Sequence, residues 1–433
     1  MTQTSSTLTT DETVIPDPDV HRAERRKLLM LAGIMTGGIT LSLMTGTFAV
    51  VGFCLAIAAV VMVHEAAHFV AAKWSGMKAT EFFFGFGPRL WSIRKGETEY
   101  GIKAIPFGGY VKIIGMSNLE RKIAPEDEPR TYRQASYPKR MLVALAGVAT
   151  HFVMAFVLLL VLLTAVGVPN YERPSLTIGN LSRLDTGASP AVEAGFKVGD
   201  RIVSVDGQTV SQWADVPPII RVSPNRPVDF VVMRDGAPLT LTATPIALEG
   251  EGGTTRGFIG VGPKPTIETM GPVAASGRAV DDIWHLSTGS LKALGSFFSP
   301  SSLRDYAGQL TNANNKDAAA AGGGDERFVS VVGVARIAGQ AAESGIFNVV
   351  YLLVLLNIFI GIFNLVPLLP LDGGHVAIGT YERLRSRLKE GKRYHADVGK
   401  MMPVAVAVIV ILVLIGVTSV YLDIVRPVAN PFQ

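Results

Sequence analysis

Residues 60–72 read VVMVHEAAHFVAA, so His64, Glu65 and His68 stand in an apolar run where ionisable groups are rare. Placing an acidic or basic side chain at mid-membrane costs roughly 2.5–3.5 kcal/mol even on the lenient insertion scale, and an uncompensated Glu65 would be hard to account for. A metal ion compensates it. On a helix, residues four apart return to nearly the same face, so His64 and His68 can offer imidazole nitrogens to one cation while Glu65 handles a proton beside it. Neutral imidazoles suit zinc, which in catalytic sites takes three protein ligands and leaves a position open for water. Zinc lowers the pKa of that water to about 7, and Glu65 would accept and return the proton. The competing reading is a histidine pair hydrogen-bonded inside a helix bundle.

Two imidazoles need a third partner. The stretch FNLVPLLPLDGGH, residues 363–375, follows another apolar run. Pro367 and Pro370 lack the backbone donors a helix needs, so the helix should break there. Irregular backbone at membrane depth is tolerated only where it is buried in protein or lines a wet cavity. Asp372 follows the break, either as a functional group or as a residue emerging at the surface. Ligand arithmetic selects the first, because Asp372 is a carboxylate on the same predicted membrane side as the histidines. The pair Gly373 and Gly374 allows a tight turn and does not decide the matter. Asn364 could hydrogen-bond a substrate carbonyl or make a helix–helix contact.

The elements that must position these groups follow from composition. The chain has 433 residues, enough for two or three folded units. Hydrophobic residues make up 48% and charged ones 18%, with a mean hydropathy of +0.34, which points to a membrane. The net charge of +4 is small and the basic residues sit beside apolar runs, so no nucleic-acid partner is expected. Cys54 is the single cysteine, so no intramolecular disulfide staples the fold.

In order, residues 1–27 read as a disordered cytoplasmic tail ending in a basic cluster. An extra transmembrane helix over 28–46 follows, unless it joins the next run as one long bent helix, since only Gly46 and its Thr neighbours are left for a turn. The run 47–74 carries the histidine motif. Residues 75–140 form a cytoplasmic region in which Gly85 to Met116 reads as short strands and turns, giving a membrane-associated β-hairpin over 101–113 with Ile105, Pro106, Phe107, Tyr110 and Val111 as apolar tips. This hairpin could offer its backbone to an extended peptide, with Gly108 and Gly109 placed against the substrate. Further transmembrane runs cover 141–166, 346–372 and 403–422, with a cytoplasmic loop over 373–402 and a tail over 423–433.

Between them, 167–264 alternates short strands with turn dipeptides, including a strand from Arg201 to Val205 and a turn at Asp206 and Gly207. Residues 265–345 hold an amphipathic helix (Val280, Ile283, Trp284, Leu291, Leu294, Phe298) and an Asn/Ala/Gly-rich linker over 312–324. The helix fits a membrane surface or the core of a small soluble unit. Basic residues after each cytoplasmic end (Lys73, Lys78, Arg140 and the 383–393 cluster) put the N-terminus inside and 167–264 outside.

HEAAH at 64–68, a Gly-rich hairpin, a PDZ-like insert at 167–264 and NLVPLLPLDGGH at 364–375, in this order, resemble the site-2 protease family of intramembrane zinc metalloproteases. The resemblance runs from about Thr47 to the C-terminus and is strongest to actinobacterial members with one PDZ domain. It implies a polytopic α-helical membrane protein with a four-helix core, an extracytoplasmic β-rich PDZ domain, and residence in the cell membrane. It further implies zinc at His64, His68 and Asp372, acid/base catalysis by Glu65, and substrate contact by Asn364. Family members cut single-span membrane proteins, typically anti-sigma factors already cut by a site-1 type protease, and some clear remnant signal peptides. PDZ domains bind peptide ends or loops. This sequence departs from the family at Val148 and His151, where Pro and Asn are usual; His151 is either a packed helix residue or a polar group near the site. The helix over 28–46 is a second departure. A non-catalytic PDZ adaptor with a structural metal site is the alternative, although structural zinc normally takes four ligands. A metal transporter is a further one, but it should repeat its ligands along several helices.

Overall fold

The computed structural model describes residues 18–116, 123–182, 184, 187, 189–249, 255–311, 329–388, 394–396, 398–428 and 430–432. Residues 1–17 of the expected tail, the linker over 312–324, and Lys389, Lys392 and Arg393 lie outside the described residues. The chain divides into two compact units, Met1–Leu160 with Ser276–Gln433, and Val161–Ala275.

Among the described residues the α-helices are, in chain order, α1 (Pro18–Met44), α2 (Phe48–Trp74), α3 (Tyr137–Val161), α4 (Pro190–Glu193), α5 (Val216–Arg221), α6 (Pro272–Phe297), α7 (Pro300–Thr311), α8 (Val331–Ser344), α9 (Ile346–Asn364), α10 (Asp372–Leu388) and α11 (Met402–Val425). Among the described residues, four segments are long and apolar enough to cross a membrane: Phe48–Trp74, Tyr137–Val166, Ile346–Asn364 and Gly399–Val425. Residues 18–27, expected in the tail, are instead the start of α1. The apolar part of α1, Leu29–Met44, is shorter. At 1.5 Å per residue it spans about 24 Å, against about 30 Å of hydrocarbon. Gly46 turns the chain with φ at +73°, so α1 and α2 are separate helices and not one bent rod.

The short strands expected over 85–116 are two long ones that begin earlier, β1 (Ala79–Lys95) and β2 (Thr98–Ile113), so the hairpin extends well before 101. Both strands fold back on themselves. Phe82 faces Val111 and also Tyr100, and Ile93 faces Tyr100 in turn, so the near half of β1 lies between the two halves of β2. Glycines permit the bend: a side chain on Gly101 would strike Phe83 and Ser92, and Gly85 has φ at +83°. At the turn, Glu97 accepts hydrogen bonds from Arg130 (2.6 and 2.9 Å) and pairs with Lys73 at the end of α2. The Arg130 guanidinium, then Lys73, holds the Glu97 carboxyl down at about 2.

The break at Pro367 and Pro370 is present, but the segment after it, expected as a loop, is the helix α10 and begins on Asp372. Gly373 and Gly374 are not the turn itself. They lie in the first turn of α10, where a Cβ would collide with the backbone of Leu365 and Val366, or of Leu368 and Leu369. α6 is the amphipathic helix expected from its spacing. Trp284, Leu291 and Leu294 line an apolar cavity of about 660 Å³ together with Phe152 of α3 and with Ile362 and Val366. α8 is capped by Ser330, whose own amide donates to Asp423 of α11 at 2.7 Å, and Gly339 approaches Val50 of α2.

In the second unit, β3 (Val168–Asn170) pairs with β12 (Thr266–Glu268), β4 (Ile178–Leu181) with β11 (Val261–Pro263), and β9 (Ile246–Glu249) with β10 (Thr255–Phe258). The largest sheet runs in the order β6 (Gln208–Thr209), β5 (Arg201–Val205), β7 (Val228–Arg234) and β8 (Ala237–Ala243). Asp206 and Gly207, both at positive φ, make the two-residue turn that their types predict. Alternate residues of β7, Val228, Phe230 and Val232, are fully buried with Ile202 and Val205.

An ion pair in this unit joins a buried carboxylate to a partly exposed guanidinium. Asp200, 1% exposed, accepts from Arg234 Nε and Nη2 at 2.7 Å each and from the Lys197 amide at 2.8 Å. The Arg234 guanidinium is the largest cause holding the Asp200 carboxyl below its usual range. Because the folded-state pKa is depressed, the stabilisation is complete above about pH 4, the usual unfolded Asp value, and is lost as pH falls through the folded one. Asp200→Asn should destabilise this unit at pH 7, because it removes the charge to which Arg234 and the Lys197 amide donate. In the full chain, amide exchange in β5 and β7 should then be about tenfold faster than in the parent at pH 7, and the ratio should shrink towards pH 3. A pH-independent ratio would rule out the ion pair as the cause.

Candidate metal centre

Helix α2 is apolar on every side, and within it His64 and His68 stand one turn apart and buried, at 7% and 5% exposure. Their Nε2 atoms are 3.1 Å apart. The break after α9 brings Asp372, the first residue of α10, onto the same point: Oδ2 lies 3.3 Å from His64 Nε2, and Oδ1 lies 3.3 Å from His68 Nε2. Three donors from two elements thus meet around one centre.

The donor set fits zinc. Ligand bonds of about 2.0 Å in a tetrahedron put donor atoms about 3.3 Å apart, which is the spacing seen. Among the described residues, Asp372 Oδ2 is buried without a hydrogen-bond partner. An unpaired carboxylate oxygen in such a place is costly unless a cation takes it. His68 Nδ1 donates to the Val143 carbonyl of α3 at 2.7 Å, which leaves the Nε2 lone pair directed at the centre.

Helix α3 supplies the back wall, and here the sequence reading missed a residue. Gly147 lies flat against both imidazoles: a Cβ there would sit 2.5 Å from His64 Cε1 and closer still to His68 Nε2. Its signal was a helix-disfavouring glycine inside an apolar spanning run. One turn on, His151 is 1% exposed with its ring 4.9 Å from that of His64, so it is both packed and a polar neighbour of the site. His151 Nδ1 donates to Asn357 Oδ1 of α9 at 3.3 Å, and Asn357 Nδ2 donates to Leu353 O at 2.9 Å. Asn357 was also missed, although it is a lone amide mid-way along an apolar run. Asn364, singled out from the sequence, is half-buried at the last position of α9.

Glu65 points to the other side of the pair, towards the hairpin. Its Oε2 accepts a hydrogen bond from the Val111 amide of β2 at 3.2 Å. Gly108 and Gly109 make this approach possible. A Cβ on Gly108 would lie 3.4 Å from Val61, and one on Gly109 would strike Met62 Sδ and lie 2.8 Å from Phe83 O. The strand therefore rests directly on α2, one turn before the histidines.

The sequence profile of peptidase family M50 matches residues 52–412, most of the chain. The chain belongs to peptidase family M50. Among curated M50 relatives it is similar to the zinc metalloprotease Rip1 of Mycobacterium tuberculosis strain H37Rv, 33% identical over 417 residues, covering 88% of this chain and 98% of the relative. It is also similar to the Rip1 of Mycolicibacterium smegmatis, 32% identical over 413 residues with coverage of 88% and 98%. M50 is the site-2 protease family, so the site built by α2, α3 and α10 belongs to a membrane metalloprotease.

Proposed function

We propose that this intramembrane zinc metalloprotease hydrolyses a peptide bond within the transmembrane segment of single-span membrane proteins, with His64, His68 and Asp372 holding the zinc and Glu65 moving the proton. The observation that carries this reading is the convergence of the three donors within apolar helices, with a carboxylate beside them that takes no part in the donor set. When bound, zinc supplies a Lewis acid and an acidified water.

The chain's own residues do the rest. Val143 O fixes the His68 tautomer, and the Val111 amide holds one oxygen of Glu65 so that the other is free to take a proton and return it to the leaving amine. A substrate helix must unwind before its carbonyls are open to attack, since they are engaged in helical hydrogen bonds. We place the unwound segment along β2, the strand that Gly108 and Gly109 seat on α2, with Asn364 at the break in position to hold a substrate carbonyl.

The site-2 resemblance supports anti-sigma factors, first cut by a site-1 type protease, and remnant signal peptides as substrates. It likewise supports a cell-membrane protein with the N-terminus inside and residues 167–264 outside as a PDZ domain. In that unit Val216 and Ile220 of α5, with Leu248 and Phe258, line a cavity of about 310 Å³ suited to a peptide end. The adaptor alternative calls for a closed four-ligand metal site.

The test uses purified full-length protein and a fluorescent transmembrane peptide. About one zinc per chain, cleavage within the apolar segment, loss of cleavage on chelation and its return with added zinc are the expected results. Unimpaired cleavage after complete zinc removal would sink the mechanism.

A further inference from the structure

Away from the metal centre, the first unit holds a second cavity, of about 310 Å³, between the start of α3 and the outer turns of α10. Its wall carries Arg133, Arg140, Arg383 and Arg387 against a single carboxylate, Glu382. That carboxylate is already committed: it accepts from Arg140 Nη2 at 2.6 Å and from the Ala396 amide at 2.7 Å. Arg133 is paired with Glu128 outside the wall. Arg383 and Arg387, four apart and so on one face of α10, are exposed and form no ion pair among the described residues. Deeper in, Arg140 is 8% exposed and, among the described residues, its Nε is buried without a hydrogen-bond partner. Ser136, Tyr137 and Pro138 complete the wall at the N-terminus of α3, where the helix dipole is positive.

Guanidinium groups and a helix N-terminus around one concavity select a phosphate, whose oxygens match the planar fork of arginine. The cavity also lies at the end of the apolar segment Tyr137–Val166, the level at which a bilayer presents its headgroups. We propose that this cavity binds a phosphate-bearing anion, either the headgroup of an anionic phospholipid or a soluble phosphate ester. The anion would bridge α3, which carries Gly147 and the Val143 carbonyl, and α10, which begins with Asp372. Its occupancy thereby ties the element holding one donor to the element backing the other two.

The experiment compares the full-length protein with Arg383→Ala/Arg387→Ala and with a charge-matched control, Arg94→Ala/Lys95→Ala at the hairpin turn; zinc content equal to the parent's shows that each variant is folded. In one arm, native mass spectrometry from neutral detergent measures retention of phosphatidylglycerol against phosphatidylcholine. In the other, thermal unfolding is followed with inorganic phosphate against chloride at equal ionic strength. At least a tenfold preference for phosphatidylglycerol, kept by the control and lost by the α10 variant, identifies the lipid headgroup. No lipid preference, with a phosphate-induced rise in unfolding temperature that only the α10 variant lacks, identifies a soluble ester. If the α10 variant and the control behave alike in both arms, the proposal is overturned.

Discussion

Glu65→Gln should lower the rate of intramembrane cleavage by about a thousandfold while leaving zinc content unchanged. The size follows from what is removed: general acid/base catalysis by a positioned side chain is worth about 10²- to 10⁴-fold. The substitution keeps the shape of the side chain, and the amide oxygen of Gln can still accept the Val111 N–H that now reaches Glu65 Oε2. The three donors His64, His68 and Asp372 are untouched, so metal and fold should persist. Metal analysis, thermal unfolding and cleavage of a transmembrane peptide, run on the same preparation, separate the two effects. A variant that cleaves at the parent's rate would exclude Glu65 as the proton carrier.

Gly147→Ala should strip the site of zinc. In the middle of a helix, alanine is favoured over glycine by about 1 kcal/mol, so local propensity alone predicts a stabilised protein. The tertiary contact predicts the reverse for the metal, because the new methyl would press on His64 Cε1 at 2.5 Å and on His68 Nε2, the atom that faces the centre. A tenfold or greater drop in zinc per chain is expected, with cleavage falling in parallel. Gly52→Ala is the control, since Gly52 lies in α2 with nothing within 4 Å of its Cβ position. Full zinc occupancy in Gly147→Ala would show that α3 can step back from the histidines.

Much of the site was legible because its members carry chemistry that does not belong in their surroundings. His64, Glu65 and His68 interrupt an apolar helix, and Asp372 follows a proline-broken one; each is costly where it stands unless something compensates it. The spanning segments were legible for the same reason, as apolar length cannot be disguised. Gly147 and Asn357 escaped notice because a glycine or a single amide in an apolar run has many explanations, and only the neighbour across the interface selects one. The helix α10 escaped because a basic, polar stretch after a Gly pair reads equally well as a loop, and the close approach of Gly373 and Gly374 to the backbone of residues 365–369 is a non-local fact.

Residue types and local spacing carried the candidate donors on α2, four of the five expected spanning runs and the turn chemistry of the β-rich unit, all of which depend on residues close to one another in the chain. Packing across the fold set which face of α3 closes the centre, that β2 reaches Glu65 through the Val111 amide, and that four arginines from two distant segments line one cavity. Those arrangements depend on packing between elements tens or hundreds of residues apart, where shape and close approach govern and local propensity carries no information.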